Sequence, residues 1–80
     1  MSQFLIVSVE PGPFSTERVV TFQVGDTRYQ LVVDQEDVRD GRLRVMVLGK
    51  NSGKALIDLP RDTFSGGSRM YVPVESLHAG

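Results

Sequence analysis

Between Glu17 and Asp34 the chain reads ERVVTFQVGDTRYQLVVD, two alternating runs on either side of Gly25-Asp26. Val20, Phe22 and Val24 fall on one side of an extended strand, and Tyr29, Leu31 and Val33 fall on one side of the next. A period of two is the signature of a strand with one covered face. Glycine at the first central position suits a two-residue hairpin turn. A lone hairpin is marginal in water, so its apolar side demands a second layer from the rest of the chain.

The remaining segments supply short strands and turns. FLIVSV is rich in β-branched residues and stops at EPGPFS, where Pro11, Gly12 and Pro13 forbid a ladder. In VDQEDVRDG, Asp34 is placed to accept a hydrogen bond from the Asp37 N–H. Val33 and Val38 have the spacing of a hydrophobic staple, and Gly41 offers a left-handed exit, which predicts one short helical turn near 35–40. RLRVMVLG and KALIDLP read as a second hairpin. Its Leu43, Val45 and Val47 share one face, as do Ala55, Ile57 and Leu59, yet Met46, Leu48 and Leu56 make the opposite face apolar too. RDTFSGGS is a glycine-rich loop with Phe64 expected underneath, RMYV a last strand, and PVESL a closing turn starting near Pro73 and ending at Leu77. No segment is long enough for a helical crossover between parallel strands.

The expected fold is all-β, a small five- to six-stranded barrel or rolled antiparallel sheet, SH3-like first and OB-like second, in one domain over residues 1–80. Eighty residues bury only about 60% of their unfolded surface, so the core is thin. There is no cysteine to supplement it, which favours a cytoplasmic setting. The longest apolar run near the start, Phe4 to Val7, is far shorter than a membrane span, and no membrane partner is expected.

Charge is unevenly spread. Residues 1–37 carry six acids against Arg18 and Arg28, a balance of −4. Residues 38–57 carry Arg39, Arg42, Arg44, Lys50 and Lys54 against Asp40 alone, a balance of +4. The basic centre is either a solvated face balanced by its acidic neighbour or a binding surface.

Several motifs invite specific chemistry. LGKNSGKALIDLP resembles a phosphate-binding loop, but only three residues separate Gly49 from Gly53, and Ala55 stands where a magnesium-binding hydroxyl belongs. Such a loop must also open a helix, and ALIDL reads as a strand. Lys50–Lys54 is therefore a hairpin loop with turn conformations at Asn51 and Gly53, and no nucleotide or other cofactor is expected. DTFSGGSR resembles, over Asp62 to Gly67, the Ser/Gly part of the motif of the cyclic-dinucleotide-binding PilZ family, which also folds as a small β-barrel. Ser65 lies three residues after Asp62 where that family has two, and Arg39, Arg42 and Arg44 do not form its RxxxR pair, so the segment is read as a loop. VVTFQVGDTRYQLVVDQEDVRD is similar, over Val19 to Asp40, to the opening strands of the chemotaxis coupling-protein family. That likeness implies a protein–protein scaffold, and any hairpin followed by a capped turn shows the same pattern.

Metal and catalysis find little support. Asp34, Glu36, Asp37 and Asp40 have Val38 and Arg39 where a calcium loop needs an oxygen ligand and glycine, so no metal is expected. Serine chemistry would need His78, two residues from the end, as its base. The expected function is a non-catalytic interaction module, binding another protein or its own copy through the 42–56 hairpin. Met46, Leu48 and Leu56 would form its apolar centre and Arg42, Arg44, Lys50 and Lys54 its basic rim. Ordinary core is the competing role for the three apolar residues. A second reading is RNA or single-stranded DNA binding through the same four cations, which lack an assigned stacking aromatic nearby. A third is a subunit of an oligomeric small-barrel enzyme.

Overall fold

The computed structural model describes residues 2–79. Nine strands run in chain order: β1 (Ser2–Ile6), β2 (Ser8–Pro11), β3 (Glu17–Val24), β4 (Thr27–Asp34), β5 (Val38–Arg39), β6 (Arg42–Asn51), β7 (Lys54–Asp58), β8 (Arg69–Pro73) and β9 (Leu77–His78). Two single 3-10 turns, Gln35–Asp37 and Val74–Ser76, are the helical content of these residues. The strands form two antiparallel sheets. One has the order β8-β7-β6-β1-β9 with β5 added to β6, and the other has the order β2-β3-β4. The fold is all-β as expected, but the two sheets do not join into a closed barrel.

The core lies between the sheets. Val20, Phe22, Leu31 and Val33 come from the three-stranded sheet. Leu5, Leu43, Val45, Ala55, Ile57 and Val72 come from the six-stranded one, with Val7 and Leu59 at the joints. The β3–β4 register sets Val20 opposite Leu31 and Phe22 opposite Tyr29, and the last two rings stack 5.4 Å apart. Gly25 alone of the two turn residues has positive φ, +58°, as the hairpin requires.

The run FLIVSV is not one strand. It divides at Val7 into β1, paired with β6, and β2, paired with β3. Pairing residues that alternate apolar on both faces allow this, because each half finds a different sheet to cover. The helical turn is shorter than expected, Gln35–Asp37, and Asp34 Oδ1 accepts from the Glu36 N–H at 3.0 Å rather than from Asp37. Val38 then enters β5 and packs on the core. Asp40 and Gly41, with φ of 53° and 73°, are the turn of a β5–β6 hairpin and not a helix exit.

The second hairpin is tighter than its sequence suggested. Lys50 and Asn51 belong to β6, and the turn is Ser52-Gly53, with φ of 54° and 79°. A slip in register between Val47 and Gly49 leaves Leu48 as a bulge. In the loop after β7, Thr63 is buried, and Phe64, expected underneath, is exposed. The Thr63 hydroxyl lies 3.0 Å from the Gly66 carbonyl and so can be buried at little cost. The Phe64 N–H meanwhile bonds Gln30 on the edge of β4 at 2.8 Å, which leaves its ring outside. His78 stands opposite Phe4 in β9. Gly12 is required by contact, because a Cβ there would lie 2.6 Å from the Glu17 carbonyl carbon.

Two outcomes follow for stability. Leu31→Ala empties a fully buried site and is expected to cost about 3 kcal/mol, read as a lower urea midpoint at unchanged slope. Ser52→Asn relieves a left-handed serine and creates the favoured Asn-Gly turn; the midpoint is expected to rise by about 0.5–1 kcal/mol.

Candidate interaction face

Which side chains share the outer face of the six-stranded sheet follows from register. Ser2, Met46, Asp58 and Arg69 form one row across β1, β6, β7 and β8. Phe4 stands opposite Arg44, and Ile6 opposite Arg42, which is itself opposite Arg39 of β5. Beyond the bulge, Gly49, Leu56 and Tyr71 form another row. The residues between these, Leu43, Val45, Ala55, Ile57 and Val72, are the buried ones, so the rows named here point outward.

This outward face is unusually apolar. Ile6 is 57% exposed, Tyr71 53%, Leu48 45% and Met46 44%, with Phe4 and Leu56 half-buried among them. The outer face of the three-stranded sheet gives the comparison: Glu10, Glu17, Thr21, Gln23, Arg28 and Gln30 occupy it around one half-buried apolar pair, Val19 and Val32, and the Gln30 amide donates to the Thr21 hydroxyl at 3.1 Å. Both faces are mixed, but the six-stranded sheet alone leaves large apolar side chains, Ile6, Met46, Leu48 and Tyr71, exposed on its outer face.

Cations edge the apolar rows. Arg44 pairs with Asp37 at 2.8 Å, and Arg69 lies 3.8 Å from Asp58, whose Oδ1 also accepts from Ser68 at 2.9 Å. Arg61 and Glu17 pair elsewhere, at 3.1 Å. Arg39 and Arg42 are cross-strand neighbours of like charge, and among the described residues neither has an ion pair. An open depression of about 400 Å³ beside them is lined by Phe4, Arg39, Asp40 and Arg42.

Of the seven residues expected at the site, six share this face: Arg42, Arg44, Met46, Leu48, Lys54 and Leu56. Lys50 does not, because it stands opposite buried Ala55 and so projects from the other side of the hairpin end. Met46 and Leu48 lie outside the buried core cluster. The acids once weighed as ligands have local work, Asp34 capping the 3-10 turn and Asp37 holding Arg44. After Gly53 the chain enters β7, with its amides in a ladder and not at a helix start.

Sequence reasoning missed Phe4, Ile6, Tyr71, Arg39 and Arg69. The signal was present for Phe4 and Ile6, since Phe4-Leu5-Ile6-Val7 is apolar at every position and a strand with both faces apolar needs two coverings. Comparison with family models, with curated proteins and with solved structures found no match to this chain. Fold and face together define a small all-β antiparallel protein.

Because the Arg44 side chain is more than half exposed, its pair with Asp37 contributes little to folding. Arg44→Ala is expected to shift the unfolding free energy by less than about 1 kcal/mol, measured by thermal melting, which makes it usable as a binding variant.

Proposed function

We propose that the protein is a non-catalytic interaction module that docks through the outer face of its six-stranded sheet, with a second copy of itself as the first partner. The observation that carries this reading is the exposure of Ile6, Met46, Leu48 and Tyr71 on one sheet's outer face, where the other sheet's apolar pair, Val19 and Val32, is half-buried. The face has the anatomy of an interface, an apolar centre of Met46, Leu48, Leu56 and Tyr71 within charged residues. Both signs are present at its edge, Asp37 and Asp58 beside Arg39, Arg42, Arg44 and Arg69, so a two-fold packing can set cations of one copy against acids of the other. Two such sheets would stack face to face, as in a sandwich.

The finer fold reading belongs with this proposal. The strand path β8-β7-β6-β1-β9, with a 3-10 turn just before the closing strand, supports an SH3-like arrangement in which β2, β3 and β4 elaborate the first connection. Fold alone assigns no partner.

Light scattering coupled to size exclusion, at two protein concentrations and two salt concentrations, tests the proposal. A dimer or larger is expected at both salts. Met46→Ser with Leu48→Ser is expected to yield a folded monomer, since both side chains lie outside the core. A wild-type chain that stays monomeric at the higher concentration overturns self-association.

One observation favours a second reading. Tyr71 lies on the same face as Arg42 and Arg44, and Phe4 stands directly opposite Arg44, so this face does carry aromatics. RNA or single-stranded DNA could stack on these rings with the arginines on its phosphates. In that case Arg42→Ala with Arg44→Ala weakens oligonucleotide binding uniformly across sequences and flattens its salt slope. An unchanged affinity removes the reading.

A further inference from the structure

The β5–β6 hairpin sets two positive charges side by side and gives neither a partner. Arg39 and Arg42 flank its two-residue turn as directly opposed residues of the ladder. Opposed side chains of an antiparallel pair share one face, with Cβ atoms about 5 Å apart, and like charges so placed are destabilising. The backbone holds both residues in place. Val38 before the turn packs on the core, and the Gly41 carbonyl within it accepts from the buried Val7 amide. Among the described residues neither arginine has an ion pair or a side-chain hydrogen bond. Arg44, two residues on, is paired with Asp37 at 2.8 Å.

Both arginines are exposed and line the open depression of about 400 Å³, together with Asp40 and half-buried Phe4. Phe4 stands opposite Arg44 and Arg42 opposite Ile6, so ring and guanidinium share the outward face. Asp40 pairs with neither arginine. Two guanidinium groups and one carboxylate leave the walls with a net charge of +1. Each guanidinium carries five N–H donors. An apolar ring beside a set of unfilled donors, in a volume of this size, is the make-up of a small-ligand site.

We propose that this depression binds a small phosphate monoester with an aromatic group. A monoester presents three acceptor oxygens and carries about −1.5 to −2 charges at neutral pH. Three oxygens suffice for a bidentate pair from one arginine and a further bond from the other. A phosphodiester has two free oxygens and one charge, and so engages the two arginines less fully. The aromatic group packs on Phe4, where the depression offers apolar surface. The Asp40 carboxylate weakens the attraction for any anion. This site goes beyond self-association, because it uses the Arg39–Arg42 edge of the outer face and not the apolar centre at Met46 and Leu48.

The test is a titration of the isotopically labelled full chain with phenyl phosphate, followed by backbone amide and arginine Nε–H resonances. Methyl phenyl phosphate keeps the ring and loses a charge; inorganic phosphate keeps the charge and lacks the ring. Phenyl phosphate is expected to move the Arg39, Asp40 and Arg42 signals saturably, with each comparison binding about threefold more weakly. Arg39→Gln with Arg42→Gln is expected to abolish that response in a chain that stays folded, since both side chains are exposed. Asp40→Asn suits the left-handed backbone there and is expected to tighten binding about twofold to fivefold. Self-association would set acids of a second copy against these arginines, so the titration is repeated on the chain carrying Met46→Ser with Leu48→Ser. A response in that chain supports the site whatever the oligomeric state of the wild type. No saturable response in either chain, or one that survives the double arginine replacement, overturns the site. Equal binding of the diester overturns the monoester preference, and equal binding of inorganic phosphate overturns the role of Phe4. An unchanged affinity in Asp40→Asn overturns the placement of the ligand beside Asp40.

Discussion

The hydrogen bond from Val7 N–H to the Gly41 carbonyl holds the corner at which one continuous run of chain passes from the six-stranded sheet to the three-stranded one. Val7 itself is buried, so its amide has to be satisfied inside the protein, and the β5–β6 turn supplies the acceptor. The turn can reach because Asp40 and Gly41 both take left-handed backbone. With that corner fixed, Leu5 falls opposite Leu43 and Val9 opposite Val20, and the two sheets close over one core.

What the corner provides in packing it also withholds in pairing. A strand that serves two sheets cannot keep its ladder to both through the bend, so the β2–β3 pairing ends at Ser8 and Thr21, short of Gln23. The outer face has a different origin. In the six-stranded sheet the strands β1 and β6 are apolar on both sides, and only the inner side has another sheet to cover it. Met46, Leu48, Ile6 and Tyr71 are left against water, at a cost that a partner surface would offset. At its charged edge Arg39 and Arg42 face each other, and among the described residues neither has an ion pair.

Legibility in the sequence followed the strength of local signals. The β3–β4 hairpin was readable residue by residue, because Gly25 forces the turn and strict alternation sets the register. The apolar second face of the 42–56 hairpin was equally plain. Its Lys50 was misassigned because the bulge at Leu48 inverts the alternation beyond it, and a bulge leaves no mark in a pattern of this kind. Phe64 was placed underneath its loop on hydrophobicity alone. The loop chose otherwise, since a threonine hydroxyl that bonds its own loop can be buried while the Phe64 amide is held by β4.

By itself, then, the sequence determined the all-β class, the positions of the tight turns near Gly25 and Gly53, and the existence of an apolar stripe beyond the needs of one core. These depend on interactions within a few residues, where period and turn chemistry act directly. Only the tertiary structure decided that FLIVSV splits between two sheets, that the barrel stays open, and that Phe4, Ile6 and Tyr71 join the 42–56 hairpin on one face. Those outcomes rest on pairings between segments distant in the chain, β1 with β6 and β9, and β7 with β8. No local pattern encodes such pairings, because each strand could satisfy its backbone with several neighbours, and only burial of the whole core selects among them.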